Sequence, residues 1–196
     1  MYPLTYFSRH GETDWNAEGR LQGQADTPLN AKGRAQADGN GSKLAGLLEL
    51  PPADLDYLAS PLTRTRDTME RIRVGLSLPS SGYRLEPLLM ELCFGDWETY
   101  TFEELESREP GVTASREAAK WTFVPPGTNA ESYEMLSERV ARWLESLMRP
   151  TVCVTHGGVI RSLFRLIGGV DAESASTLDV PQDKLLRLEG TQLTWH

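Results

Sequence analysis

The chain has 196 residues, of which 39% are hydrophobic and 24% charged, and we expect one domain over residues 1–196. Its formal net charge of −8 argues against nucleic acid or an anionic membrane surface as the main partner, because both need a broad basic surface. Residues 1–10 lack the regions of a signal peptide and no segment is apolar enough to span a bilayer, so we expect a cytoplasmic protein.

Apolar runs alternate with helical patterns along the chain, which predicts an α/β fold. The first strand is predicted over residues 4–8, just before the sequence Arg-His-Gly-Glu-Thr. A helical stretch begins at Asn30, although Gly39 and Gly41 weaken its middle. The next strand is expected over residues 55–59.

The following helix is predicted from Pro61 to about Val74, because proline suits the first turn of a helix. Arg64 would then lie one turn inside its start. Prolines and glycines punctuate residues 87–127, around a short helix at about 101–107. We interpret this irregular segment as a lid-like insertion that covers a functional site.

A long helix is predicted after the irregular segment. Thr128 and Glu131 have the spacing of a capping box at its start, so Glu131 is interpreted as a structural residue. One apolar face of this helix is formed by Tyr133, Leu136, Val140, Trp143 or Leu144, and Leu147.

The C-terminal part of the chain contains a further strand, a helix and a hairpin. The strand is predicted over residues 151–155 and the helix over 159–167. Residues 185–188 and 193–195 are predicted to pair around a turn at 189–190. No internal repeat or low-complexity segment interrupts this pattern.

Two of the three histidines lie at the ends of predicted strands. His10 follows the first strand and His156 follows the strand at 151–155, whereas His196 is the last residue. Catalytic groups of α/β enzymes lie at such strand ends. Arginines within or beside these motifs could focus a positive field on a small anion, and they are Arg9, Arg20, Arg64 and Arg161.

Several kinds of catalytic site compete to explain these residues. A metal site would use His10, His156 and an acid, but the neighbouring arginines would oppose a cation and no His-Glu-x-x-His element is present. Cys93 and Cys153 lack metal-ligand spacing and are expected to be reduced thiols. The nucleophile turn of serine hydrolases and the phosphate loop of nucleoside triphosphatases are also missing.

Phosphoryl transfer to a histidine fits these residues best. A neutral imidazole can attack phosphorus in line, while guanidinium groups neutralise the charge on the phosphoryl oxygens. A nearby carboxyl group can give a proton to the leaving oxygen and later activate water.

Five motifs, in order along nearly the whole chain, resemble those of the histidine phosphatase superfamily, or phosphoglycerate mutase-like proteins. They are Arg9-His10-Gly11-Glu12-Thr13, which Asn16 and Gly19-Arg20-Leu21-Gln22-Gly23 follow, then Asp26-Thr27-Pro28-Leu29, Ser60-Pro61-Leu62-Thr63-Arg64-Thr65, Glu91-Leu92-Cys93-Phe94-Gly95-Asp96-Trp97-Glu98, and His156-Gly157-Gly158-Val159-Ile160-Arg161. The resemblance implies a three-layer α/β/α sandwich with a mostly parallel central sheet, and no metal or organic cofactor.

The resemblance also implies a role for individual residues. His10 would be the nucleophile that becomes phosphorylated, and Glu91 would be the general acid and base. Three further catalytic residues would hold the phosphoryl oxygens, namely Arg9, Arg64 and His156. The implied substrate-binding residues are Arg9, Asn16, Gln22, Gly23, Arg64, Glu91, His156 and Gly157.

Three functions remain open. Hydrolysis of a small phosphorylated metabolite through a phosphohistidine is favoured. A phosphoglycerate mutase is the alternative, although the family's cofactor-dependent mutases carry Glu-Arg-x-Tyr-Gly where residues 91–95 read Glu-Leu-Cys-Phe-Gly. A non-catalytic protein that binds a phosphorylated ligand would be expected to lack His10 or Glu91. Thr99 and the segment 127–132 depart from the family's pattern and leave the substrate open, and the sequence does not indicate an oligomeric state.

Overall fold

The computed structural model describes all 196 residues and contains one six-stranded sheet. Its strands in chain order are β1 (Tyr2–Arg9), β2 (Asp56–Ala59), β3 (Arg84–Leu85), β4 (Thr151–Thr155), β5 (Leu185–Gly190) and β6 (Gln192–Trp195). Their spatial order is β3-β2-β4-β1-β5-β6. The first four strands in this order are parallel, β5 runs antiparallel to β1, and β6 runs antiparallel to β5, so the expectation of a mostly parallel sheet is confirmed.

Eight α-helices accompany the sheet. They are α1 (Asp14–Ala17), α2 (Ala31–Leu47), α3 (Thr63–Gly75), α4 (Phe102–Arg108), α5 (Val112–Ala118), α6 (Tyr133–Glu145), α7 (Gly157–Leu166) and α8 (Ala172–Thr177). Helices α2 and α3 pack against each other, as do α6 and α7. None of the helices has the length and apolar character needed to cross a membrane.

Successive side chains of β1 enter two different hydrophobic cores. Phe7 packs edge-on against Trp143 of α6, with ring centroids 5.9 Å apart. Tyr6 belongs to the other core, together with Leu44 of α2 and Ile72 of α3. Because both faces of the sheet are covered by helices, its central strands read as continuous apolar runs. The expected three-layer sandwich is confirmed.

Helix α3 begins at Thr63 rather than at Pro61. Leu62 is still extended, with ψ 143°. The Asp26 carboxylate accepts hydrogen bonds from the backbone N–H and the hydroxyl of Thr63, both at 2.7 Å. This cap comes from a distant loop, which the proline does not indicate. Arg64 is therefore the second helical residue and does not lie one turn inside the helix.

The predicted capping box of α6, Thr128 with Glu131, is wrong. Ser132 is the N-cap, and its hydroxyl accepts a hydrogen bond from the backbone N–H of Met135 at 3.2 Å. Glu131 instead forms an ion pair with Arg139 at 2.8 Å. Glu131 is thus structural, but through a tertiary contact rather than a helix cap.

The C-terminal hairpin has the predicted strands, but its turn lies one residue further along the chain. Glu189 pairs with Gln192, which leaves Gly190 and Thr191 as the turn residues. Gly190 has φ 63°, a left-handed conformation that glycine adopts without a steric penalty.

Helix α2 is continuous over 17 residues despite its central glycines. A Cβ on Gly41 would lie 3.1 Å from the Cα of Ile72 in α3. A Cβ on Gly75 would likewise lie 3.0 Å from the Cα of Gly41. The glycines permit a close helix crossing, and the packing offsets their low helix propensity.

The irregular segment 87–127 contains more regular structure than its sequence predicts. Two 3₁₀ turns, Pro87–Leu89 and Gly95–Trp97, precede α4, and α5 is a second helix that was not predicted. The backbone N–H of Thr99 donates to the carbonyl of Leu21 at 2.8 Å. This contact joins the segment to the chain that follows the first histidine motif.

Candidate active site

The parallel pairing of β1 with β4 brings the two histidine-bearing strand ends together. Arg9 is in register with Thr155, and the backbone N–H of His10 donates to the Thr155 carbonyl at 2.9 Å. His156 is the next residue, and the imidazole rings of His10 and His156 have centroids 5.2 Å apart and an interplanar angle of 61°. The two motifs therefore meet in one site.

His10 is held as a neutral imidazole with one nitrogen available. Its Nδ1 lies 2.8 Å from the carbonyl oxygen of Gly11. Because a carbonyl only accepts hydrogen bonds, Nδ1 carries the hydrogen and Nε2 keeps its lone pair. Burial, followed by the charges of Arg64 and Arg9, lowers the pKa of His10 well below the usual histidine value.

His156 is a second buried and neutral imidazole. Its Nε2 lies 2.8 Å from the hydroxyl of Ser60, whereas its Nδ1 has no hydrogen-bond partner. Burial and then the charge of Arg64 lower the pKa of His156 well below the usual value. When the Ser60 hydroxyl donates to Nε2, the ring hydrogen resides on Nδ1, which makes Nδ1 a donor without an acceptor.

Two buried arginines flank the histidines. Arg64 donates from its Nη atoms to the carbonyls of Gly23 and Ala25 at 2.7 and 2.8 Å, and Arg9 donates to the carbonyl of Val180 at 2.8 Å. The Nε atoms of both arginines are buried without a partner. Burial lowers the pKa of Arg64 to about 10, so this guanidinium remains charged at neutral pH. The site thus holds buried cationic donors that lack an acceptor.

The Glu91 carboxylate lies at the N-terminus of α7. The backbone N–H of Gly158 donates to its two oxygens at 3.1 and 3.2 Å, and the backbone N–H of Leu92 donates at 2.9 Å. A Cβ on Gly158 would overlap this carboxylate. The side chain of Arg139 also holds the backbone carbonyl of Glu91, at 3.0 Å. These contacts fix both the backbone and the carboxylate of Glu91.

Glu98 supports the site in a way that the sequence did not reveal. Its carboxylate accepts hydrogen bonds from the backbone N–H groups of Gln24 and Ala25 at 2.8 and 2.9 Å. The same loop presents the carbonyls of Gly23 and Ala25 to Arg64. In the sequence Glu98 belongs to a recognisable motif, but nothing in its local sequence indicates a contact with residues 23–25. We interpret this half-buried carboxylate as a positioning group for Arg64.

A cavity of about 140 Å³ opens over these groups. Its wall contains Arg9, His10, Asn16, Arg20, Leu21, Gln22, Gly23, Arg64, Glu91, Leu92, Phe94, Tyr133 and Arg161. All four arginines expected to surround a small anion line this cavity. His156 and Gly157 do not form part of its wall, although the ring of His156 lies beside that of His10.

The other residues predicted to bind substrate have distinct contacts. The side-chain oxygen of Asn16 accepts from the backbone N–H of Thr13 at 3.2 Å, and the side-chain oxygen of Gln22 accepts from Thr27 at 2.8 Å. Both amides therefore keep their N–H groups as the donors left for a ligand. Gly157 is the first residue of α7, and a Cβ there would lie 3.6 Å from the Nε of Arg9.

No group of three or more histidine, cysteine, aspartate or glutamate side chains is arranged to hold a metal ion. Cys93 and Cys153 are buried and free. Burial raises the pKa of both thiols, which favours their protonated form.

The site combines neutral buried histidines, unpaired guanidinium groups and a carboxylate beside them. This combination defines the class of phosphoryl-transfer enzymes that use a histidine. Comparison with known proteins agrees with this class, since residues 5–196 match the model of the histidine phosphatase superfamily (branch 1). The chain belongs to this superfamily.

Relatives with different names are similar to the chain over most of its length. An adenosylcobalamin/alpha-ribazole phosphatase of Escherichia coli is 33% identical over 85% of this chain and 79% of its own. A probable phosphoglycerate mutase of Salmonella arizonae is 32% identical over 97% of this chain and 86% of its own. The solved structure of a mycobacterial glucosyl-3-phosphoglycerate phosphatase is 27% identical, with TM-score 0.78 over 99% of this chain and 96% of its own.

Proposed function

We propose that this protein hydrolyses a small phosphomonoester through a phosphohistidine formed on His10. The observation that carries the proposal is the tautomer of His10, because the bond from Nδ1 to Gly11 leaves Nε2 free to attack phosphorus. The Nε atoms of Arg9 and Arg64 are unpartnered donors that could bind phosphoryl oxygens. The unpartnered Nδ1 of His156 joins them when the Ser60 hydroxyl donates to Nε2.

In the first step, the lone pair of His10 Nε2 forms a bond to phosphorus while the bond from phosphorus to the ester oxygen breaks. Glu91, in its protonated form, gives its proton to that oxygen, so the leaving group departs as an alcohol. The phosphoryl oxygens keep their charge, which Arg9 and Arg64 neutralise.

In the second step, water attacks the phosphohistidine. The Glu91 carboxylate takes a proton from the water, the bond from phosphorus to nitrogen breaks, and its electron pair returns to His10 Nε2. Phosphate then leaves, and the proton taken from water returns Glu91 to the protonated form in which it began. The amides of Asn16 and Gln22 would add hydrogen bonds to the substrate, and Gly23 would hold Arg64 in place.

Relatives named as phosphatases favour hydrolysis, and the relative named as a mutase keeps phosphoryl transfer between hydroxyl groups as the alternative. The two differ in the acceptor, because a mutase must keep water from the intermediate. In this chain, Leu92 and Phe94 line the cavity on either side of Cys93, where the cofactor-dependent mutases carry arginine and tyrosine in their motif. This difference favours water as the acceptor.

The deciding experiment follows 3-phosphoglycerate in one preparation for both phosphate release and isomerisation. Release is expected to exceed isomerisation by about 100-fold or more, which corresponds to about 2.7 kcal/mol in activation free energy. Comparable rates would favour the mutase. Phosphate release from p-nitrophenyl phosphate should persist in the presence of a chelator, because the proposed steps use only side chains.

A further inference from the structure

The short loop that carries His10 is held by side chains from two helices. The backbone N–H of Gly11 donates to the hydroxyl of Thr68 in α3 at 3.1 Å. The next backbone N–H, that of Glu12, donates to the side-chain oxygen of Gln36 in α2 at 2.8 Å. The backbone beside the proposed nucleophile therefore depends on side chains that lie outside the cavity wall.

One peptide group joins Gln36 to the imidazole of His10. The carbonyl of Gly11 and the N–H of Glu12 belong to this group, which is planar and trans. Its N–H donates to Gln36, and its carbonyl accepts from Nδ1 of His10 at 2.8 Å. The two bonds leave a trans peptide in nearly opposite directions, so the three groups form one line of hydrogen bonds. Bonds in such a line polarise one another, which makes the Gly11 carbonyl a stronger acceptor.

The packing of α2 explains how Gln36 reaches the loop. A Cβ on Gly11 would overlap the carbonyl of Gly33, so α2 lies against the loop without an intervening side chain. Gln36 follows Gly33 by three residues and thus lies on the same face of the helix. Because a backbone N–H only donates, the Gln36 atom that faces Glu12 is the carbonyl oxygen.

We propose that Gln36 is a positioning residue for the nucleophile. Its side-chain oxygen holds the peptide between Gly11 and Glu12, which keeps the Gly11 carbonyl aimed at Nδ1 of His10 and the lone pair on Nε2. Outer partners that orient a metal-bound histidine are typically worth about 10- to 100-fold, and a histidine that attacks phosphorus has the same need for a fixed ring. This inference rests on the proposed function, in which His10 is the nucleophile.

The first test measures the tautomer of His10 without any turnover. The chain has only three histidines, so ¹⁵N-histidine labelling gives three sets of imidazole signals in an NMR spectrum. The set that disappears in His10→Ala belongs to His10. In the wild type its Nδ1 should carry the hydrogen and its Nε2 should be bare. In Gln36→Met the nitrogen shifts should move toward those of a mixture of both tautomers.

The second test measures phosphohistidine formation in single-turnover experiments with p-nitrophenyl phosphate, whose leaving group needs little help from an acid. Gln36→Met keeps the helix propensity but removes the acceptor, and it should slow this step by about tenfold. Gln36→Glu keeps an acceptor oxygen and should stay within about threefold of the wild type. The inhibition constant of inorganic phosphate should change by less than about twofold in both variants, because Arg9 and Arg64 make no contact with Gln36.

Gln192→Met is the matched control, since Gln192 is an exposed residue of β6 at the edge of the sheet. This variant should match the wild type in both tests. If Gln36→Met does not fold, Gln36→Asn keeps the amide but withdraws its oxygen by one methylene group. It should then show the same change of tautomer and a similar loss of rate.

Each failure has its own signature. An unchanged His10 tautomer in folded Gln36→Met, or a rate within about twofold of the wild type, would overturn the positioning role. Gln36→Glu as slow as Gln36→Met, or phosphate inhibition weakened as much as the rate, would overturn it too, because either result indicates a general disturbance of the site. Absence of a phosphoenzyme in the wild type would instead overturn the proposed function, and the tautomer could still be measured.

Discussion

The imidazoles of His10 and His156 lie beside each other at the ends of adjacent parallel strands, with ring centroids 5.2 Å apart. Both rings are buried, and both face the charges of Arg9 and Arg64. The surroundings therefore disfavour protonation of either ring. The same arrangement therefore keeps both the proposed nucleophile, His10, and its neighbour His156 neutral.

This histidine pair should make the protein less stable in mild acid. The folded-state pKa of each ring lies below the usual value of about 6.5, so the unfolded chain binds more protons at lower pH. The stabilisation is complete above that pH and is lost as the pH falls. Each histidine should reduce the free energy of unfolding by about 1.4 kcal/mol per pH unit below about pH 6.

Urea denaturation between pH 5 and 7 measures this effect. The slope of the unfolding free energy against pH should be smaller in His156→Gln than in wild type, by about 1.4 kcal/mol per pH unit below about pH 6. Equal slopes would mean that His156 takes up a proton in the folded protein.

Two glycines of α2 should respond to alanine in opposite directions. A Cβ on Gly33 would overlap the backbone carbonyl of Glu12, in the loop that follows His10, whereas a Cβ on Gly39 would meet no atom within 4 Å. Gly33→Ala should lower the free energy of unfolding by about 1–3 kcal/mol through overpacking. Gly39→Ala should raise it by about 0.5–1 kcal/mol through helix propensity. Urea denaturation of both variants checks this, and a shift of the same sign in the two would refute the packing argument.

The carboxylate of Glu98 should control phosphate binding through Arg64. Glu98→Gln replaces one acceptor oxygen by a donor, so it can no longer hold both Gln24 and Ala25, and the carbonyls that orient Arg64 should shift. The inhibition constant of inorganic phosphate is expected to rise by about tenfold.

The control for this variant is Glu103→Gln, an exposed carboxylate in the same segment. A double-mutant cycle with Arg64→Ala separates positioning from general stability, since Glu98→Gln should have little further effect on phosphate inhibition once Arg64 is removed. Additive effects in the cycle would show that Glu98 acts on the site independently of Arg64.

The effect of removing the Glu91 carboxyl group on the rate of phosphoenzyme formation should depend on the leaving group. A basic alkoxide needs a proton as it departs, whereas p-nitrophenolate departs readily without one. In single-turnover experiments, Glu91→Gln should slow phosphoenzyme formation from an alkyl phosphate by about 10²- to 10⁴-fold and from p-nitrophenyl phosphate much less. An equal loss for both substrates would assign the proton to another group.

The sequence predicts five of the six strands and the placement of both histidines at strand ends, because these depend on local apolar runs, whereas the two-residue strand β3 is too short to give such a signal. Strand ends that carry His10 and His156 meet whenever their strands are parallel neighbours. The arginine cluster was also predictable, because each arginine lies within a recognisable motif.

Contacts between distant segments explain what the sequence did not predict. The spacing of Thr128 and Glu131 is that of a capping box. In the structure, however, the Glu131 carboxylate forms an ion pair with Arg139 and does not cap the helix. The cap of α3 comes from Asp26, and the support of Arg64 comes from Glu98. Such partners are identified only in the folded structure, because the local sequence around each of these carboxylates resembles that around an exposed carboxylate.

The most direct test of the account is to trap the covalent intermediate on His10. Rapid acid-free quenching after mixing enzyme with a ³²P-labelled phosphomonoester, followed by proteolysis and peptide sequencing, should find an acid-labile, base-stable phosphoryl group on the peptide that contains His10. His10→Ala should carry no label under the same conditions, while His156→Ala should still be labelled, although more slowly. Equal labelling of wild type and His10→Ala, or label on His156 in the wild type, would contradict the assignment of His10 as the nucleophile.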